Sequence, residues 1–466
     1  MSRAEALAAR ALGTAACFTS LVGAALALAP AARADDTHAA PYPLGGRAAQ
    51  LAGAAAATAD DVGALAYNPA GLADAGDGSL QLSASLYGLD FTLGQNGFAD
   101  VASALVDLNR LFTELQIVPA AGGLVWGLGP RDAAGDTRHA IAAAAFVRDQ
   151  RLSREDALAQ VGPEAQRYAR DVLDRTIGVA IGWGWRPTDA LRVGVGLELT
   201  YRRISAREEA SLARDAGATF TRGETSLALS AGTLAPTLGV RWTPDPRWTF
   251  GLALTPPSID VFGSATLQVQ ETRGGAAARF DVTTREGLDA RSPLPLALRG
   301  GVAFLVDDAT RVALDLLFTA PRDYALVTLA EADRGLAARQ AFTLDVTRRP
   351  TLNVAVGAEH ALDARWSLSG GVWTDLSSAP SIDGVRGDLR LVDQLPKVDR
   401  VGFSFGVSLA ALPTRTWVGL SGVYGFGRDV VVTRRDVRPL GAPASFVVVD
   451  VEQLSLFVTV SSLLAL

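Results

Sequence analysis

From Leu191 to Arg202 the sequence LRVGVGLELTYR alternates without a break. Leu191, Val193, Val195, Leu197, Leu199 and Tyr201 fall on one face of an extended chain, and Arg192, Gly194, Gly196, Glu198, Thr200 and Arg202 fall on the other. The same period returns in RWSLSGGVW, where Trp366, Leu368 and Val372 oppose Arg365, Ser367 and Ser369. It returns again in QLSLFVTVS, where Leu454, Leu456, Val458 and Val460 oppose Gln453, Ser455, Thr459 and Ser461. After residue 34 no stretch approaches 18 uninterrupted apolar residues, so this part of the chain offers no membrane-crossing helix. If it crosses a bilayer it does so as a closed barrel, because a closed set of strands satisfies every backbone group in lipid. A soluble sandwich alternates equally well, so alternation does not decide between them.

The connections separate the two. Strands are expected at about 79–91, 118–128, 138–149, 176–186, 190–207, 227–243, 247–270, 294–306, 310–330, 341–361, 364–377, 400–411, 414–432 and 446–462, about fourteen in all. Six connections are short (GPRDAAGDT, RPTD, PDP, DDA, LDA and LP), and they alternate with seven longer ones. Short turns at one end and long loops at the other are the pattern of an outer-membrane barrel. Trp126, Trp183, Trp185, Trp242, Trp248, Trp366 and Trp417 lie within about four residues of a short turn, as an aromatic belt at one membrane interface requires.

The expected fold class is therefore an all-β transmembrane antiparallel barrel. Residues 1–34 read as a signal peptide: Arg3 and Arg10, an apolar centre, and ARA before Asp35. Cys17 lies inside that segment and is the one cysteine of the chain, which removes disulfides and thiolate chemistry from the mature protein. The formal charge of −6 comes from intermixed acids and arginines with no basic tract, so nucleic acid is not an expected partner. Residues 35–78 are Ala- and Gly-rich, too irregular for a strand pair and too apolar for a free tail. They are expected to form an N-terminal hatch inside a barrel of residues 79–466. In the hatch, Asp60 and Asp61 stand near a helix start, Pro69 ends that helix before Asn68, and Gly71 is free to take a positive φ.

Two long loops have helical spacing, one from Phe98 and one from Ser153. The apolar face of the first, with Val101, Leu105, Leu108, Leu111 and Phe112, is expected to cover a hydrophobic entry site, and the second to be solvated decoration.

The stretch GGRAAQLAGAAAATADDVGALAYNPAGLA at 45–73, with phrases such as LGVRWTPDPRWTFGLALTPPS and VAVGAEHALDARWSLSGGVW, resembles the FadL/TodX family of outer-membrane transporters for long-chain fatty acids and aromatic hydrocarbons. The resemblance implies a fourteen-stranded barrel plugged by a hatch, with Asn68, Pro69, Ala70 and Gly71 as its turn. It also implies capture of a hydrophobic ligand near the extracellular loops and lateral exit through a kinked early strand. The strand expected to open is HAIAAAAFVRD, because Ala142, Ala143, Ala144 and Ala145 offer little bulk. Unlike many family members, this chain ends in Leu466 instead of an aromatic residue.

His38, His139 and His360 are widely spaced with no serine motif beside them, and no metal-ligand spacing occurs. Neither an enzyme nor a cofactor is expected. The expected partners are outer-membrane lipid and a hydrophobic small molecule, with the protein a monomer. A general diffusion porin and a barrel scaffold for a surface partner are the alternatives.

Overall fold

The computed structural model describes residues 37–39, 42–75, 78–95, 109–116, 121–131, 137–161, 164–214, 219–275, 278–330, 345–381, 397–411, 413–432 and 446–465. The expected cleavage site, Cys17, Val101, Leu105 and Leu108 lie outside them.

The strands in chain order are β1 (Ser79–Gln95), β2 (Asn109–Gln116), β3 (Ala121–Arg131), β4 (Thr137–Val161), β5 (Glu164–Trp185), β6 (Leu191–Arg214), β7 (Thr219–Asp245), β8 (Trp248–Thr255), β9 (Ile259–Gly274) and β10 (Arg279–Leu288). They continue with β11 (Ala297–Leu305), β12 (Thr310–Thr319), β13 (Arg322–Ala325), β14 (Asp345–Arg348), β15 (Thr351–Ala361), β16 (Trp366–Asp375), β17 (Lys397–Ala411), β18 (Thr414–Val432) and β19 (Phe446–Ala465). Fourteen of them follow one another round an antiparallel barrel, β1-β3-β4-β5-β6-β7-β8-β11-β12-β15-β16-β17-β18-β19. The ring closes where β19 pairs with β1 from Ser79↔Ala465 to Gly94↔Val451. Closure leaves no edge whose N–H and C=O groups would be stranded in lipid.

The alternating face turns out as a membrane requires. In β6, Val195, Leu197, Leu199 and Tyr201 are exposed, while Glu198, Thr200 and Arg202 are buried towards the lumen. Trp126, Trp185, Trp242, Trp248 and Trp366 are exposed beside the short turns, and the rings of His139, Trp183 and Trp185 form a near-parallel cluster. Trp417 departs from the expected belt. It faces Ser408 and Ser461 in register, shares their buried side, and lies under Arg415. Pleat parity, not distance from a turn, sets its direction.

The extra strands correct several expectations. The predicted strand over 247–270 divides into β8 and β9 because Pro256 and Pro257 cannot donate to a ladder. β9 then pairs with the upper half of β7 and with β10 to form a hairpin above the barrel. Pro321 similarly follows the end of β12, and Pro350 separates β14 from β15. The helical reading from Ser153 is overturned: β4 and β5 continue as one hairpin to Val161↔Glu164. β5 is held on its other edge by β6 as far as Ala165↔Ala213, so pairing with neighbouring strands overrides the local helix period. The helical reading from Phe98 fails over its second half. Leu111 and Phe112 belong to β2, which fills the edge of β1 that β3 leaves open. Among the described residues no helix is long and apolar enough to cross a membrane.

Candidate functional site

Inside the ring lie residues 42–75, nearly all of them buried. They form α1 (Arg47–Gln50), α2 (Ala64–Tyr67) and a 3-10 turn at Pro69–Asp74. The turn begins as its sequence directs. Pro69 takes the first position, where its missing N–H costs nothing, and Asn68 Oδ1 accepts from Ala70 N at 3.1 Å. Asn68 Nδ2 donates to Ala56 O at 2.8 Å and to Val240 O of β7 at 3.0 Å, so one buried amide both makes the turn and ties it to the wall. Asp61 Oδ1 accepts from Gly63 N at 2.8 Å just ahead of α2, whereas Asp60 reaches Arg47 at 3.1 Å. Gly71 has no positive φ. It is there because a Cβ would stand 2.1 Å from Ala59 O.

The barrel makes room for this segment with inward glycines. A Cβ on Gly194 would lie 2.3 Å from the Pro69 carbonyl carbon, one on Gly239 2.2 Å from Asn68 Oδ1, and one on Gly251 2.1 Å from Ala56 O. Ala142 and Ala144 serve the same end, buried against Val62 and Leu65. The run Ala142, Ala143, Ala144 and Ala145 is hydrogen-bonded on both edges, to β3 and to β5. The ladder is interrupted one strand earlier. β1 pairs with β3 over Ser79 to Ser83 and with β2 from Gly88 onward. Between these, residues 84–87 have no partner on that side among the described residues.

Polar contacts pin the segment at several points. Arg47 Nη2 lies 2.7 Å from Glu359 Oε2, and Arg415 reaches the other Glu359 oxygen at 3.2 Å. Asp74 is held by Arg192 and Arg241, each at 2.9 Å. Asp315 Oδ2 accepts from Ala55 N and Ala56 N at 3.0 and 2.9 Å. Gln50 Nε2 donates to Val418 O at 3.0 Å, and its Oε1 accepts from Ser369 at 2.9 Å. None of these residues stands out in the sequence. The wall partners of Arg47, Gln50 and Asp74 lie more than a hundred residues away, and the visible trace is a polar residue on the inward parity of a strand.

Burial, and after it the neighbouring Asp60, push the Asp61 carboxyl up to about 6. The seated segment therefore gains from a protonated Asp61. That gain is complete below the ordinary carboxylate value of about 4, is lost as the pH rises through 6, and is worth roughly 3 kcal/mol at most. Protease protection of residues 42–75 in the purified barrel is expected to fall between about pH 4 and pH 6.5 and to change little above that. It should not change with pH in Asp61→Asn, and a pH-independent wild type would contradict the assignment.

Above the inner segment is a cavity of about 290 Å³, lined among others by Tyr42, Tyr67, Arg148, Thr200, Arg299 and Trp373. Higher still, inward residues of β5, β6, β7 and β9 pack against Leu326, Val327, Leu329 and Val346 from the β12–β15 connection and form an apolar cluster. The histidines are dispersed: His38 lies 2.8 Å from Val398 O, and His360 lies 2.9 Å from Thr310 Oγ1. Among the described residues no group of metal-ligating side chains gathers.

A closed antiparallel barrel with an apolar exterior, aromatic residues beside the short turns and its N-terminal segment folded inside is an outer-membrane β-barrel. Its architecture is shared by solved hydrophobic-compound channels. A FadL homologue from Pseudomonas aeruginosa superposes with a TM-score of 0.61 at 12% identity, over 92% of this chain and 99% of that one. The Pseudomonas putida toluene transporter TodX gives 0.59 at 12%, over 91% and 98%. The Ralstonia pickettii toluene transporter TbuX gives 0.53 at 14%, again over 91% and 98%. At these identities it is the fold that is shared, and in fold the chain is FadL/TodX-like. Neither a protein-family model nor a curated protein matches the sequence.

Proposed function

We propose that the protein is a passive channel for hydrophobic small molecules such as aromatic hydrocarbons or fatty acids, with residues 35–78 acting as its hatch. The observation that carries this reading is the stacking within the lumen: an apolar cluster at the long-loop end, a cavity beneath it, and a buried segment closing the short-turn end. The toluene transporters named above share the barrel fold, which supports this reading. Capture draws on removal of apolar surface from water, roughly 0.8 kcal/mol per buried methylene, and no step in this reading consumes a cofactor or breaks a bond. The interrupted ladder at residues 84–87, with β4 paired only to β5 among the described residues beyond Phe146, is a candidate lateral exit.

In liposomes containing the purified protein, uptake of labelled toluene or palmitate is expected to exceed that of empty liposomes at least tenfold, with sugars and salts excluded. Free passage of sugars would favour a porin. Absence of any hydrophobic uptake would leave the scaffold reading ahead.

A further inference from the structure

The cavity wall made by β11, β12, β15 and β16 differs from what a bare hydrocarbon needs. Thr319 and Thr351 face each other in one register row, Arg299, Leu317 and Asn353 form the next, and Trp373 pairs with Ala355 just beyond. All line the cavity. Thr319, Thr351, Asn353 and Trp373 are 6, 7, 3 and 3% exposed. Each keeps a buried polar atom without a hydrogen-bond partner among the described residues: Thr319 Oγ1, Thr351 Oγ1, Asn353 Nδ2 and Trp373 Nε1. Folded proteins leave few such atoms, and a cluster of them on one wall calls for a partner from outside the chain, water or ligand.

The set has a definite polarity. Asn353 Oδ1 already accepts from Leu376 N at 2.7 Å, which leaves the amide its donor end. An indole N–H and a guanidinium only donate, and the two hydroxyls can rotate to donate. Arg299 is weakly answered. Its nearest carboxylate oxygen, Asp315 Oδ2, is 3.4 Å away and already accepts two backbone N–H groups from the inner segment. Asp315 also lines the cavity, with Oδ1 unpaired among the described residues, but its other oxygen is bound to the inner segment. The remaining polar atoms of the wall are donors beside a positive charge, which suits an oxyanion, and a hydrocarbon has no acceptor to offer. Leu65, Leu317, Ala355 and the Tyr67 ring supply an apolar remainder. At about 290 Å³ the space lies at the small end of ligand pockets, which run from roughly 300 to 1,000 Å³.

We propose that this cavity binds small organic acids, an aromatic or short-chain carboxylate whose oxyanion sits on Arg299, Thr319, Thr351, Asn353 and Trp373. The inference rests on the channel reading above and names a narrower substrate for it. Calorimetric titration of the detergent-purified protein with benzoate, toluene and palmitate tests it. Benzoate is expected to bind at least tenfold more tightly than toluene and palmitate. Thr319→Val and Arg299→Met should each weaken benzoate about tenfold or more, the loss expected for a hydrogen bond to a charged group. Thr319→Ser, which restores the hydroxyl, should recover it. Heat-modifiable migration of each variant reports that the barrel has folded. Toluene or palmitate binding as tightly as benzoate, or benzoate binding indifferent to Thr319→Val and Arg299→Met in folded protein, would overturn the proposal. Liposome uptake of the same three solutes separates the two readings. Passage of toluene without benzoate binding sinks this inference and leaves the channel standing, whereas benzoate binding with no solute passing does the reverse.

Discussion

Gly194→Leu is expected to turn a closed barrel into an open one. The inner face of β6 touches the backbone of the Asn68-Pro69-Ala70 turn, and a Cβ at Gly194 would lie 2.3 to 2.5 Å from three of its backbone atoms. Backbone held by the buried Asn68 amide has nowhere to retreat, so the side chain and the seated segment exclude each other. Gly239→Val on β7 attacks the same turn, with its Cβ 2.2 Å from Asn68 Oδ1. Both variants should still form barrels, since the outward faces and ladders are untouched. Ion conductance in planar bilayers should rise by roughly an order of magnitude or more over wild type as the lumen empties. Gly196→Ala is the control, because its Cβ would meet Pro69 at an ordinary 3.8 Å. Wild-type conductance in folded Gly194→Leu would show that residues 42–75 do not close the lumen.

Arg47→Ala should release the other end of the same segment. The Arg47 side chain is 7% exposed and holds Glu359, whose side chain is 12% exposed. Removing one partner of a buried pair leaves the other charge with poor compensation, a loss of about 3–5 kcal/mol when nothing replaces it. Arg415 remains 3.2 Å from Glu359 and softens the effect, so about 2–3 kcal/mol is expected. That corresponds to a population of released inner segment roughly thirty- to a hundred-and-fiftyfold larger, measurable as faster cleavage within residues 42–75 by an added protease. Arg47→Ala with Glu359→Gln should recover part of the protection, because the stranded charge is then gone. Equal cleavage rates in wild type and Arg47→Ala would show that the ion pair does not hold the inner segment in place.

Much of the membrane-facing half of this protein is written in periods of two. Leu197, Leu199 and Tyr201 turn outward, Glu198, Thr200 and Arg202 turn inward, and the short turns recur at one end, because a strand in lipid has one face that must be apolar and one that need not be. The interior was harder to read. The glycines and alanines that receive the inner segment look like weak strand positions until the segment is seated against them. Arg299, Thr319, Thr351 and Asn353 come together only because β11, β12 and β15 stand side by side in the ring. The two helical readings failed for a related reason. Side-chain period is a local property, whereas the demand that every exposed edge find a partner is settled by neighbouring strands, and it drew 109–116 and 149–176 into ladders.

Alternation, turn spacing, and the Asn68-Pro69 turn were thus legible along the chain, since each depends on residues within a few positions of one another. Which lumen atoms meet, where the ladder is interrupted, which tryptophan points inward, and what the cavity wall presents depend on register between strands far apart in sequence. A shift of one residue exchanges the two faces of a strand, and only the closed ring selects one register for all fourteen strands at once.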